Sequence, residues 1–129
     1  MDLESLPFES GSLEVVICSD VLEHVEDDAR AISEIQRVLR PGRGVAFVHV
    51  PIVASETVEY GFPVAVDHGH RRAYGPDVAR RLMSAGLEVR EYGARQLTKE
   101  ARRRSGILPA DRVFLVSTPR ADVVSMLVP

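Results

Sequence analysis

The chain has 129 residues, of which 45% are hydrophobic and 27% charged, and its formal net charge is −3. These values are ordinary for a globular protein, and the length suits a single domain over residues 1–129. The acidic balance argues against nucleic-acid binding, and no apolar run approaches the ~20 residues of a membrane-spanning helix. Cys18 is the only cysteine, so no internal disulfide can form, and we expect a cytoplasmic protein.

The first predicted unit is a strand, a helix and a second strand. The apolar run within Leu13–Cys18 predicts a strand that is buried on both faces, as in a parallel sheet. Asp27 or Asp28 can cap the helix, and Pro41-Gly42 ends it before a second buried strand at Val45–Val50. The apolar face of this helix consists of Ala31, Ile32, Ile35, Val38 and Leu39. Because a helix joins the two strands, we expect them to be parallel, with ligands bound near the polar loop after the first.

The second half of the chain is irregular at first and then predicts further elements. Pro51–Tyr74 contains scattered glycines and prolines and is interpreted as a long irregular segment, a kind that is usually functional or disordered. Pro76 suits the first turn of a helix that Gly86 closes. The remaining predicted elements are strands at Leu87–Tyr92 and Arg112–Ser117, a basic segment at Gln96–Arg104 and an apolar tail at Val123–Val128.

Several motifs, in their order along the chain, resemble the class I S-adenosylmethionine-dependent methyltransferases. They are Asp2 with Leu6-Pro7-Phe8, the strand and LEH loop within Val15–Val25, the RVLRPG motif at Arg37–Gly42, Arg72–Pro76 and Leu82–Val89. The resemblance implies a sheet with strand order 3-2-1-4-5-7-6, of which this chain would supply strands 4 to 7. We therefore expect a truncated Rossmann-like α/β fold of about four strands, in the order 4-5-7-6 with the last strand antiparallel, and flanking helices.

The resemblance covers only the C-terminal half of that domain. The family's first strand, its glycine-rich cofactor loop and the acid that binds the ribose have no counterpart here. The only G-x-G sequence, Gly42-Arg43-Gly44, follows a helix and enters a strand, whereas a cofactor loop leaves a strand and opens a helix. We therefore expect this chain alone to bind S-adenosylmethionine weakly or not at all.

The resemblance also implies cofactor-binding residues. It assigns Asp2 to the adenine amino group, the backbone of Leu3 to the ring, and Ser19 and Asp20 to the methionine portion, while His24 would line the pocket or act as a base. Simpler interpretations stay open: a solvated terminal carboxylate, which we favour for Asp2, local backbone hydrogen bonding for Ser19 and Asp20, and a structural histidine. No catalytic residue is predicted, because methyl transfer depends mainly on in-line positioning.

A polar group in the irregular segment permits three interpretations. It consists of Asp67, His68, His70, Arg71, Arg72 and Tyr74. A solvated surface loop is favoured first and a methyl-acceptor site second. A metal site at His49, His68 and His70, with Asp67 nearby, ranks third because such a site needs two or three protein ligands from different positions and no cysteine accompanies these histidines, and we predict none.

Without strands 1 to 3, Leu13–Cys18 would be an exposed apolar edge. We therefore expect a homodimer through this strand, or a cover formed by the tail Val123–Val128.

The sequence features are compatible with three functions. The first is a methyltransferase for a small-molecule acceptor, weak or inactive alone; the second is a non-catalytic methyltransferase-derived module for dimerisation or protein binding. The third is one half of a split enzyme whose partner supplies the missing half.

Overall fold

The computed structural model describes residues 1–106, 108 and 110–119. Its strands and helices are β1 (Val15–Ser19), α1 (Asp28–Val38), β2 (Val45–His49), β3 (Val58–Val64), β4 (His70–Ala73), α2 (Val78–Ser84), β5 (Glu88–Gly93), α3 (Lys99–Ser105) and β6 (Arg112–Ser117). The predicted tail at Val123–Val128 lies outside the described residues. Within the described ranges, no helix combines the length and apolarity that crossing a membrane requires.

The main sheet has four strands in the order β1-β2-β6-β5. β1 and β2 are parallel, with Val15 opposite Val45 and Ser19 opposite His49. β6 is antiparallel to both of its neighbours, β2 and β5. This arrangement confirms the order 4-5-7-6 with the last strand antiparallel. It also means that β1, β2 and β5 run in one direction, so their carboxyl ends share one edge of the sheet with the start of β6.

Helix α1 forms where its apolar stripe predicts it and covers one face of the sheet. Asp27 is its N-cap, and its carboxylate accepts a hydrogen bond from the Arg30 backbone N–H at 3.0 Å. The predicted stripe is buried together with sheet residues such as Cys18 and Val48 and with α2 residues such as Leu82. Burial of this stripe is the main stabilising contribution of α1, since about 25 cal/mol is gained per Å² of apolar surface removed from water.

The N-terminal segment is held against α1 by a charged pair. Glu34 accepts a hydrogen bond from the backbone N–H of Leu6 at 2.8 Å, and Arg37 donates to the carbonyls of Leu6 and Phe8. Arg37 and Glu34 are themselves bonded at 2.6 Å. These hydrogen bonds, that from Arg37 first, lower the pKa of Glu34 to about 2. A polar, turn-rich segment without a strand or helix of its own is thereby ordered next to β1.

The irregular segment Pro51–Tyr74 contains structure that the sequence did not predict. β3 and β4 pair as a separate two-stranded antiparallel sheet, with a register shift between Glu59 and Val64. Arg72 and Tyr74, at its end, are only 3% and 1% exposed. The surface-loop interpretation is therefore wrong for these two residues. β3 contains Gly61 and Pro63. Glycine and proline are common in turns and rare within strands, so the sequence pattern did not predict this strand.

Candidate functional site

Polar side chains converge where β1 and β2 end. Ser19 closes β1, His49 closes β2, and the two are register partners. The Ser19 hydroxyl donates to Asp20 Oδ2 at 2.7 Å, and His49 Nδ1 lies 3.4 Å from both Ser19 Oγ and Asp20 Oδ1. The backbone N–H of Asp20 donates to the carbonyl of His49 at 3.1 Å. The chain thus brings a hydroxyl, a carboxylate and an imidazole together at the carboxyl edge of parallel strands, which is where open α/β sheets bind ligands.

Asp20 has an unusual backbone conformation for a residue with a side chain. Its φ is +54°, in the left-handed region, which aspartate and asparagine adopt more readily than most residues. The turn directs the chain away from the sheet as soon as β1 ends, and the Asp20 side chain stays 57% exposed. Strained backbone of this kind often accompanies ligand sites.

The neighbouring thiol does not contribute a nucleophile. Cys18 is buried one residue before Ser19. Burial, followed by the negative charges of Glu23 and Asp20, raises the pKa of the Cys18 thiol to about 11. The thiol is therefore protonated at neutral pH and serves as a small core side chain.

The loop after β1 is fixed by the buried guanidinium of Arg72. Its Nη1 donates to the carbonyls of Leu22 and Val25 at 2.7 and 2.8 Å, and its Nη2 donates to the carbonyl of Glu26 at 2.9 Å. Its Nε donates to the Glu59 carboxylate of β3. One side chain thus satisfies three loop carbonyls and joins the loop to the small sheet.

A second set of contacts joins the end of β4 to α1 and α2. Tyr74 donates from its hydroxyl to Asp28 Oδ2 at 2.7 Å, and Arg81 donates to that oxygen at 2.8 Å. Burial and the Asp28 charge raise the pKa of Tyr74. The hydroxyl therefore acts as a fixed hydrogen-bond donor and does not ionise in the physiological range.

The other residues assigned by resemblance lie apart from the Ser19–Asp20–His49 group. Asp2 is exposed, and its Oδ1 accepts a hydrogen bond from the Glu4 backbone N–H at 2.9 Å. Leu3 packs against the core and lines an apolar groove of about 340 Å³ beside β1. His24 is exposed, and its ring lies edge-on against His70, with centroids 4.7 Å apart. In the described part of the chain, no hydrogen bond joins His24 to Ser19 or Asp20.

His49 is the member of this site that the resemblance did not assign to the cofactor, since the sequence suggested it only as a candidate metal ligand. It ends the second strand, just as Ser19 ends the first, and parallel pairing puts the two side by side. The sequence signal that could have identified His49 was therefore its position near the end of the second predicted strand. His49 also lines a mainly apolar cavity of about 260 Å³ with Tyr92, Ala94, Leu97 and Val113.

Comparison with known proteins agrees with this architecture. A family model described as a methyltransferase domain matches residues 1–47. A Mycolicibacterium smegmatis protein described as a probable S-adenosylmethionine-dependent methyltransferase is 32% identical over 114 residues, covering 84% of this chain and 44% of that protein. By sequence and by fold, the chain is related to the class I methyltransferases. Its strands correspond to the C-terminal half of their domain.

Further similarities extend across most of the chain. An uncharacterized 37.1 kDa protein in a Streptomyces fradiae transposon is 36% identical over 90 residues, covering 70% of this chain and 24% of that protein. The chain therefore spans less than half the length of each of these two relatives.

Solved structures show the same fold at low sequence identity. A phosphoethanolamine N-methyltransferase from Haemonchus contortus, in complex with S-adenosyl-L-methionine, has a TM-score of 0.61 at 15% identity, over 92% of this chain and 36% of that one. An S-adenosylmethionine-dependent methyltransferase from Mesorhizobium loti has a TM-score of 0.57 at 16% identity, over 90% and 66%.

Proposed function

We propose that the chain takes part in S-adenosylmethionine-dependent methyl transfer to a small-molecule acceptor, and that it supplies the part of the site facing the methionine portion of the cofactor. The observation that carries this proposal is the meeting of Ser19, Asp20 and His49 at the adjoining carboxyl ends of β1 and β2. In a class I methyltransferase this edge faces the cofactor.

The side chains present fit the polar end of that cofactor. The exposed Asp20 carboxylate can pair with a cationic group, and the Ser19 hydroxyl and the His49 ring can donate or accept hydrogen bonds. When bound, the cofactor supplies an electrophilic methyl group on a sulfonium. The residues of the chain bind and orient it, because the reaction needs an in-line approach more than acid or base catalysis.

The cavity beside His49 is the candidate acceptor site. It lies at the same sheet edge, because Tyr92 is near the end of β5 and Val113 near the start of β6. Its mainly apolar lining suits a small acceptor with an apolar body. The imidazole of His49 would orient the acceptor's nucleophilic atom.

The cofactor site within these 129 residues is incomplete in this proposal. Gly42 and Gly44 form a turn between α1 and β2, and a Cβ at Gly44 would lie 2.6 Å from the Arg40 backbone nitrogen. That glycine serves close backbone packing and does not cradle a phosphate or a nucleoside. The groups for the ribose would therefore come from other polypeptide, either a partner or another part of a longer protein.

An exposed strand supports a second, non-catalytic role in association. Val15 and Ile17 of β1 are 56% and 76% exposed, and the apolar groove beside them is lined further by Leu6, Phe8 and Leu13. β1 pairs only with β2 among the described strands. We propose that a second copy of the chain or the missing half of the domain covers β1, in a cytoplasmic protein.

The cofactor proposal can be tested residue by residue. S-adenosylmethionine is titrated into the ¹⁵N-labelled protein while amide chemical shifts are followed by NMR. We expect shifts confined to the region of Ser19, Asp20 and His49, with a dissociation constant of about 1 mM, equivalent to about −4 kcal/mol. Asp20→Asn should reduce this binding, because asparagine tolerates the left-handed backbone but lacks the charge.

The matched control is Glu88→Gln, which removes a carboxylate charge from an exposed residue at the opposite edge of the sheet. It should leave the titration unchanged. Shifts that avoid the carboxyl edge, or equal loss of binding in both variants, would contradict the proposed cofactor site.

A further inference from the structure

A buried carboxylate lies in the loop after β1 without a hydrogen-bond partner. Glu23 is only 2% exposed, and its Oε2 atom accepts no hydrogen bond from any residue that the structure describes. Removing a carboxylate from water is costly unless a cation or hydrogen-bond donors compensate it. The nearby cation Arg72 is already committed to the carbonyls of Leu22, Val25 and Glu26 and to Glu59.

Two imidazole rings lie next to this carboxylate. A carboxylate oxygen of Glu23, a ring nitrogen of His24 and a ring nitrogen of His70 are all within 4.8 Å of one another. The three residues come from two segments, the loop after β1 and the strand β4. This is the spacing from which small side-chain rotations can direct three ligand atoms at one ion.

The backbone around these residues is firmly held. The Arg71 N–H donates to the Glu23 carbonyl at 2.8 Å, which ties β4 directly to the loop. Arg72 bonds the carbonyls on both sides of the Glu23–His24 pair. The three candidate ligands are thus positioned by contacts that do not use their own side chains, a form of preorganisation that favours metal binding.

His70 also has the kind of outer partner that metal-binding histidines use. Its Nδ1 lies 3.5 Å from Asp67 Oδ1. Asp67 is in turn held by the Tyr60 hydroxyl, which donates to Asp67 Oδ2 at 3.2 Å. A carboxylate near one ring nitrogen orients the imidazole and leaves the other nitrogen for a metal.

We propose that Glu23, His24 and His70 form a binding site for a divalent transition-metal ion, with zinc the preferred occupant. Two imidazoles and one carboxylate are a ligand set that zinc accepts in sites with an open coordination position. Burial is graded across the set, since Glu23 is buried, His70 half-buried and His24 exposed. The open position would face solvent on the His24 side, where a water molecule or an oxygen or nitrogen atom of a small ligand can bind.

This inference does not depend on methyl transfer. The metal site uses none of Ser19, Asp20 and His49. Zinc binding and S-adenosylmethionine binding can therefore be tested separately, and failure of one does not decide the other. It also revises the expectation of no metal site. The sequence offered only His68, His70 and Asp67 as neighbours, whereas the fold joins His70 to Glu23 and His24 instead.

The test is a calorimetric titration of zinc chloride into chelator-treated protein. We expect one zinc ion per chain and a rise in the thermal unfolding temperature when zinc is present. Glu23→Gln and His70→Ala should each weaken zinc binding by about 100-fold or more, because each removes a direct ligand, and even outer-shell changes cost 10–100-fold. Glu88→Gln is the matched control, since it makes the same change at an exposed carboxylate of β5 outside the cluster, and should retain binding.

Glu23→Gln keeps the test decisive even if other variants fold poorly. Without metal, this variant should be at least as stable as the wild type, because it removes a buried uncompensated charge. With zinc, only the wild type should gain stability. Absence of one-to-one zinc binding to the wild-type protein, or equal zinc stabilisation of wild type and Glu23→Gln, would overturn the proposal.

Discussion

Arg72 shows how one side chain can determine the geometry of a site that it does not enter. Its guanidinium is buried and satisfies three loop carbonyls while pairing with Glu59. The loop that it holds carries Glu23 and His24, and it follows directly from Ser19 and Asp20. The sequence pattern suggested only a polar residue in a loop, because nothing in the local sequence indicates a partner that lies about fifty positions away.

We expect Arg72→Met to lower the free energy of unfolding by about 3–5 kcal/mol, as removing one member of a buried charged network does. Methionine keeps most of the volume and removes the donors. Denaturant unfolding followed by circular dichroism measures the change. Arg80→Met is the matched control, because Arg80 is exposed on α2, and its effect should stay within about 0.5 kcal/mol. A loss below 1 kcal/mol for Arg72→Met would contradict the role given to this residue.

Site residues differed in how far the sequence could predict them. Ser19 and Asp20 were recognisable because a polar pair directly after an apolar run that predicts a strand marks a ligand edge whatever the rest of the fold. The predicted burial of that strand on both faces was wrong, since Val15 and Ile17 are exposed. The Glu23–His24–His70 cluster was not, because it depends on β4 returning to the loop after β1. Whether Asp2, Leu3, Ser19, Asp20 and His24 bind a cofactor stays a prediction.

At the scale of elements, regular periodicity was a dependable guide and short strands were not. The stripe on α1 predicted that helix, and Arg112–Ser117 is a strand with the predicted bounds. β3 and β4 were missed because they form a two-stranded sheet that is stabilised from outside. The contacts responsible are those of Arg72 in β4 with carbonyls of the loop after β1, and of Arg81 in α2 with Glu59 in β3. The intrinsic strand propensity of a segment does not reflect tertiary contacts of this kind.

The exposed strand β1 carries a prediction about association. If a second copy covers β1, the protein should be dimeric, and Ile17→Lys should shift it to a monomer by placing a charge on the apolar face. Multi-angle light scattering over a range of concentrations measures this. Val66→Lys is the control, because Val66 is 94% exposed on the turn between β3 and β4, away from β1. A wild-type protein that stays monomeric at high concentration would rule out the homodimer.

At the scale of the molecule, strand order was the most informative property. Four strands in the order β1-β2-β6-β5, with β6 antiparallel, match the C-terminal half of a class I methyltransferase sheet. This could be predicted because family motifs fix the order of strands even when individual bounds move by one or two residues. That residues 1–129 form a single domain stays a prediction.

We propose that this half of the fold carries one face of a cofactor site and lacks the groups that would complete it. The loop beyond β1 supplies polar groups at the carboxyl edge, whereas the one G-x-G sequence is used as a turn between a helix and a strand. Affinity for a cofactor of this size depends on several such contacts acting together.

The most direct measurement is a calorimetric titration of S-adenosylmethionine into the purified chain. We expect no tight complex, with a dissociation constant no better than about 1 mM. A one-to-one complex with a dissociation constant of about 1 μM or tighter would contradict this proposal, because these residues alone would then form a complete cofactor site.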